Sequence, residues 1–335
     1  MSAWLLLLFV PVLMLVVVAN LGQLYRWAGV LTYLALLALG VGTLLVGIGL
    51  AVAPTSAIAT LAREFPRAAD VNWPMVGIRL AITGFLVLGL VLLALRRSPA
   101  AFDRGWPWHR PIHLTALVLG IFFAGLNLAQ GVILVEMDLR ESVRGGVLTF
   151  GLRELLAQAV FFVLLALLGV GLGIRRTLSE TLARLKLQAP TVGDVGRSLA
   201  LTLGLLFITI SLGGLIGLLS PDSVAAAQSF NQVIIDAFAG TAWGAVGLGL
   251  LSGLSEEILY RGAIQPVFGL WATSLLFALH HVQYLNLSIL LIVVLALALG
   301  WIRDRYNTTV AILVHVAYNT LIALIAIGAA RFVSG

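Results

Sequence analysis

The sequence predicts an all-α fold, a polytopic transmembrane helical bundle of about eight to ten spans. Three observations carry this. The 335 residues are 61% hydrophobic and only 10% charged, where a soluble domain carries about 25% charge. Apolar runs of spanning length recur from end to end. Lys and Arg collect in short stretches between those runs, as topology signals do.

Ten apolar runs can be read in order: Ala3 to Ala19, Gly29 to Ala53, Met75 to Leu95, His113 to Val135, Leu155 to Ile174, Ser198 to Leu219, Ile235 to Leu259, Leu270 to Tyr284, Leu287 to Ile302 and Val310 to Ala329. A span needs about 20 residues, so the short first, eighth and ninth runs set the uncertainty in the count. The first run lacks the basic flank and small-residue cleavage site of a signal peptide and is read as a span.

Charge gives the expected orientation. Arg96, Arg97, Arg104 and Arg110 follow the third run, Arg175, Arg176, Arg184, Lys186 and Arg197 the fifth, and Arg303 and Arg305 the ninth. These loops share one side, expected to be cytoplasmic, with both termini on the other. The segment Ser220 to Ile234 has no Lys or Arg, but Arg63, Arg67, Arg140 and Arg144 run against the pattern. Trp27, Trp73, Trp271 and Trp301 fall near run ends, where an aromatic belt places them. The net charge of +6 is spread through these loops without an aromatic-interleaved basic patch, so nucleic acid is not an expected partner. The absence of cysteine excludes disulfides, thiol nucleophiles and thiolate metal sites.

The stretch "RRTLSETLARLKLQAP" reads either as a short interfacial helix, with Leu178, Leu182 and Leu185 on one face, or as a solvated linker. It is the best internal boundary, dividing residues 1–196, about five spans of unassigned role, from residues 197–335.

The second part holds the polar residues that a bilayer disfavours. A charge at membrane depth costs at least about 2.5–3.5 kcal/mol on insertion scales. In "GLSEEILYRG", Glu257 and Arg261 are four apart with the glutamate first, the better order for a helical ion pair. Glu256 is rotated about 100° away and has no local partner, which leaves it available as a general base. Capping of a helix end at the interface is the bland alternative. Gly240, Gly244, Gly249 and Gly253 precede the pair at near small-xxx-small spacing, a signature of close helix packing. His280 and His281 end the eighth run, and His315 and Asn319 share a face of the tenth. From the run ends, His281 is expected about 16 Å deep and His315 about 8–10 Å deep. A carboxylate, imidazoles and a carboxamide around water make a hydrolytic site. Glu and His also ligate zinc, although no HExxH signature is present.

"EEILYR", "FALHH" (Phe277 to His281) and "HVAYN" (His315 to Asn319) fit the patterns EExxxR, FxxxH and HxxxN, in order on successive apolar runs. In this the chain resembles the CPBP family of intramembrane proteases, also called Abi proteins, which includes the type II CAAX prenyl endopeptidases. The resemblance covers roughly Asp236 to the end. It implies a carboxy-terminal four-helix catalytic core open to the cytosol, in the cell membrane. By the same resemblance Glu256 activates water, Glu257 and Arg261 support it, and His281 assists or ligates metal. His315 and Asn319 complete the site as oxyanion donors or metal contacts. The implied zinc ligands are Glu256, His281 and His315, beside a reading with no metal. The implied partner is a peptide or protein substrate, lipidated in the CAAX case; the oligomeric state is left open. His280 is an alternative to His281.

Two readings from other classes compete. A transporter or channel would use the Glu, His and Arg residues as a proton or ion path, with Arg79, Asn127 and Gln130 elsewhere. A relay spreads carboxylates over several depths, whereas here they sit together. An inactive membrane scaffold would tolerate loss of a motif residue, and none is lost.

Overall fold

The computed structural model describes residues 3–64, 69–96, 110–136, 151–237, 241–284 and 286–334. Arg67, Arg97, Arg104, Arg140 and Arg144, used above for orientation, lie outside the described residues. The helices are α1 (Ala3–Leu21), α2 (Arg26–Ala51), α3 (Thr55–Glu64), α4 (Trp73–Arg96), α5 (Pro111–Glu136), α6 (Leu152–Val170), α7 (Leu178–Arg184), α8 (Val192–Leu219) and α9 (Pro221–Ala237). Then follow α10 (Ala242–Glu256), a π-helical segment (Glu257–Ile264), α11 (Gln265–Leu279), a 3₁₀ turn (Val282–Tyr284), α12 (Ile289–Arg305) and α13 (Thr308–Ser334). The described residues contain no β-strand beyond an isolated bridge between Leu172 and Arg176.

The protein is an all-α polytopic membrane protein. Seven described helical stretches are long and apolar enough to cross a membrane. The seventh and eighth apolar runs overlap one of them, the 38-residue stretch Ala242–Leu279. Gly269 interrupts it at φ 81°, a backbone conformation that glycine adopts without steric cost. The 17-residue α12 is shorter. The basic-free segment after α8 is itself helical, as α9.

The chain divides into two compact units. One comprises residues 15–145 and 279–285. In it α2 and α4 pack backbone to backbone: a Cβ on Gly47 would lie 2.2 Å from the Ala81 nitrogen. Leu36, Val87, Val91, Leu114 and Val118 form its buried core. Arg79 donates from Nη1 to the Leu128 carbonyl, so this intramembrane arginine joins α4 to α5.

The other unit comprises residues 1–14, 146–278 and 286–335. Its core is Leu205, Leu295, Leu299, Ile302, Val310, Ala311 and Val314, from α8, α12 and α13. Helix α6 packs on α10 and on the π segment, so the fifth predicted span stands beside the motif-bearing helices. The stretch between α6 and α8 holds a short helix, which both sequence readings allowed. Its helix α7 is seven residues long, opened by a capping box between Thr177 and Glu180. Leu185 is fully buried, while Leu178 and Leu182 remain exposed. The chain is then tied to the start of α13: Thr308 donates to the Leu185 carbonyl at 2.6 Å, and Thr309 and Gln188 exchange hydrogen bonds of 2.9 and 3.0 Å.

Candidate active site

The first motif begins on α10, the second at the end of α11 and the third lies on α13; two glycines bring α10 and α13 together. A Cβ on Gly253 would lie 2.8 Å from the Val316 nitrogen, and one on Gly249 2.7 Å from the Val316 carbonyl oxygen. A hydrogen in place of a side chain permits that approach. Since Val316 follows His315, the contact carries the glutamate pair to the histidine.

Past Glu256 the helix widens. Glu257 to Ile264 is π-helical, and the Gln265 N–H donates to Tyr260, five residues back. The sequence reading assumed regular α geometry here; one extra residue per turn is accommodated instead, a form frequent at functional sites. Pro266 supplies a local reason. In an α-helix the Gly262 carbonyl would accept from residue 266, and proline has no N–H to give. The Nη1 of Arg184 donates to that carbonyl at 3.1 Å.

Glu257 is fully buried at the centre of the cluster. Arg261 Nε lies 3.3 Å from its Oε2, realising the expected pair. The contact is a charge pairing rather than an aligned hydrogen bond, since neither of these two atoms has a hydrogen-bond partner among the described residues. The other oxygen, Oε1, is 2.9 Å from His315 Nδ1. The buried guanidinium of Arg261 also donates from Nη2 to the Ala296 carbonyl at 3.3 Å and stands 4.7 Å from the Phe277 ring centroid. A cation over an aromatic face gains about 0.5–2 kcal/mol, more when desolvated.

Phe277, the first residue of the FxxxH pattern, is therefore part of the cluster. Its ring meets His315 edge-on at 6.1 Å and Tyr260 at 5.0 Å. Tyr260 in turn meets Phe162 of α6 at 6.3 Å. Sequence reasoning missed Tyr260 and Phe162; an aromatic within EExxxR carries no signal of which ring it will face.

Glu256, on the preceding turn, is 8% exposed. Among the described residues no hydrogen bond or ion pair engages its carboxylate. Asn319 donates from Nδ2 to Ser252 Oγ at 2.9 Å, and Ser252 donates to the Leu248 carbonyl at 2.6 Å. Ser252, one turn before Glu256, was also missed; its only sequence signal was a hydroxyl four residues from the glutamate. Glu256, Glu257, Arg261, His315 and Asn319 thus lie in one unit. His280 and His281 follow α11 in the segment 279–285, which groups with the other unit, and both are half-buried.

Among the described residues no group of three or more His, Cys, Asp or Glu side chains is disposed to hold a metal ion. Glu257 and His315 direct their facing atoms at each other.

Fold and site together define a polytopic helical membrane protein with a buried carboxylate–arginine–histidine cluster. Residues 238–321, which contain all three motifs, match the family model described as type II CAAX prenyl endopeptidase Rce1-like. The resemblance drawn from the motifs is upheld by this match. A 51-residue stretch, 15% of this chain, is 45% identical to the uncharacterized protein YpbD of Bacillus subtilis (strain 168). That match spans 27% of the relative's length. No solved structure matches.

Proposed function

We propose that this protein is an intramembrane endopeptidase in which Glu256 activates water. The observation that supports this reading is the division of labour between adjacent carboxylates. Glu257 is held by Arg261 and His315, while Glu256 is buried beside them without an engaged partner.

In the proposed reaction Glu256 takes a proton from water as the oxygen adds to the peptide carbonyl carbon. Collapse of the tetrahedral intermediate breaks the C–N bond, and the same proton passes to the departing amine. The products are a carboxylate and an amine. Glu257 accepts from His315 Nδ1, which fixes the ring and leaves Nε2 as the nitrogen available to the reacting atoms. A proton on Nε2 makes it an oxyanion donor. Asn319, oriented by Ser252, is the second proposed donor. The proposed substrate is a CAAX-type protein or peptide, lipidated and delivered through the bilayer. The site is proposed to face the cytoplasm from the cell membrane.

The test is cleavage of a quenched fluorescent farnesylated CAAX peptide by the full chain in lipid nanodiscs, with zinc content measured on the same preparation. Wild type is expected to cleave. Glu256→Gln should lower the rate by about 10²–10⁴-fold, the range for a general base, with unchanged elution on gel filtration. Full activity in Glu256→Gln would sink the mechanism. About one zinc per chain, lost in both His281→Ala and His315→Ala, would replace the glutamate mechanism with a metal-assisted one.

A further inference from the structure

Two side chains outside the three motifs grip the π segment. One is Gln265, 3% exposed and four residues beyond Arg261. Its Nε2 donates to the Gly300 carbonyl at 2.9 Å, as Arg261 Nη2 donates to the Ala296 carbonyl at 3.3 Å. The two acceptors are one helical turn apart, so the contacts are successive rungs on α12. Gly300 makes room for the second rung, because a Cβ there would lie 2.8 Å from Gln265 Oε1. The other side chain is Arg184, at the end of α7, whose Nη1 donates to the Gly262 carbonyl. Fully buried Leu185 packs at the same place: a Cβ on Gly262 would lie 3.0 Å from its Cδ2.

Both contacts lead on to α13. From α7, the Leu185 carbonyl accepts from Thr308, and Gln188 and Thr309 exchange hydrogen bonds. From α12, Leu295, Leu299 and Ile302 share a core with Val310, Ala311 and Val314. His315 directly follows that core and lies about two turns past Thr308. The π segment and α13 are therefore joined by two routes, and the 2.9 Å contact between Glu257 and His315 closes between them. An i→i+5 turn is a rare form of helix. Its return to α geometry would turn Glu257 relative to α11 by up to about 100°, the rotation of one residue.

We propose that Arg184 and Gln265 are positioning residues for the hydrolysis: by fixing the widened turn from two sides, they hold Glu257 against His315 Nδ1. They act through that contact and not on the substrate. The inference rests on the reaction proposed above for its kinetic readout, while the contact itself can be read without turnover.

The test pairs cleavage kinetics with the nitrogen NMR spectrum of the full chain in lipid nanodiscs, with isotopically labelled histidine. The variants are Arg184→Ala, Arg184→Lys and Gln265→Met, each checked by gel filtration. The His315 resonances are assigned by their loss in His315→Ala. Wild type should show a protonated Nδ1 at His315, the form that donates to Glu257. Arg184→Ala and Gln265→Met should shift that resonance. They should also lower kcat on the farnesylated peptide about ten- to hundredfold with KM little changed, since a misplacement of about 1 Å can cost about 10²-fold. Arg184→Lys keeps a donor for the Gly262 carbonyl and should restore the resonance and most of kcat, which keeps the test informative if the alanine variant misfolds. An unmoved His315 resonance in both Arg184→Ala and Gln265→Met would overturn the proposal, whatever their kinetics, and leave the two side chains a purely structural role. If wild type cleaves nothing, the protease reading falls and the resonance alone decides: shifted in both variants it upholds the positioning, unmoved it overturns it.

Discussion

At the residue scale, Glu257 is the pivot of the cluster. It is fully buried and shares its two oxygens between Arg261 and His315. The first partner was legible because i,i+4 spacing is a local rule. The second was not, since 58 residues separate Glu257 from His315 and only helix packing brings them together. The same distinction applies to Asn319, whose place on a face with His315 was legible but whose bond to Ser252 was not. Removing one member of a buried pair leaves the other charge uncompensated, at a cost of about 3–5 kcal/mol. Glu257→Ala and Arg261→Ala should each destabilise on that scale, and the double variant should cost clearly less than their sum. Denaturant unfolding in mixed micelles measures the cycle; simple additivity would show that the two side chains act independently.

At the element scale, the glycine series before the glutamates had a readable purpose, and two of its members serve it. Gly249 and Gly253 meet α13, where the obstacle to a larger residue includes the main chain of Val316. Gly253→Val should therefore separate α10 from α13, cost about 1–3 kcal/mol from overpacking, and lower activity with it. Gly247→Val is the control, because a Cβ there meets nothing within 4 Å. Equal effects of the two would mean that glycine serves the helix itself and not the contact. The widened π turn was less legible. Pro266 lies just beyond it and was an available warning that regular hydrogen bonding fails there. That Arg184 would serve the freed carbonyl required knowing that α7 folds back onto this helix, and nothing in a seven-residue helix announces its docking partner.

At the scale of the whole molecule, composition carried the most. Scarce charge and recurrent apolar runs lead directly to a helical membrane protein, because helices satisfy their own backbone groups in lipid. The grouping of spans was not legible. Helix α6 precedes the basic stretch in sequence yet packs on α10, because side-chain fit, unlike chain order, decides which helices meet. Orientation rests on the arginine-rich segments and is open to a direct test, helped by the chain's lack of cysteine. Ser179→Cys on α7 and Gln228→Cys on α9 each place a single thiol at an exposed position. If the arginine-rich end faces the cytoplasm, a membrane-impermeant maleimide applied to intact cells should leave Ser179→Cys unlabelled until the membrane is opened. Gln228→Cys, beyond α8 on the opposite side, should label at once. The reverse pattern would turn the protein over in the membrane and move the proposed hydrolysis, with its substrates, to the outer face.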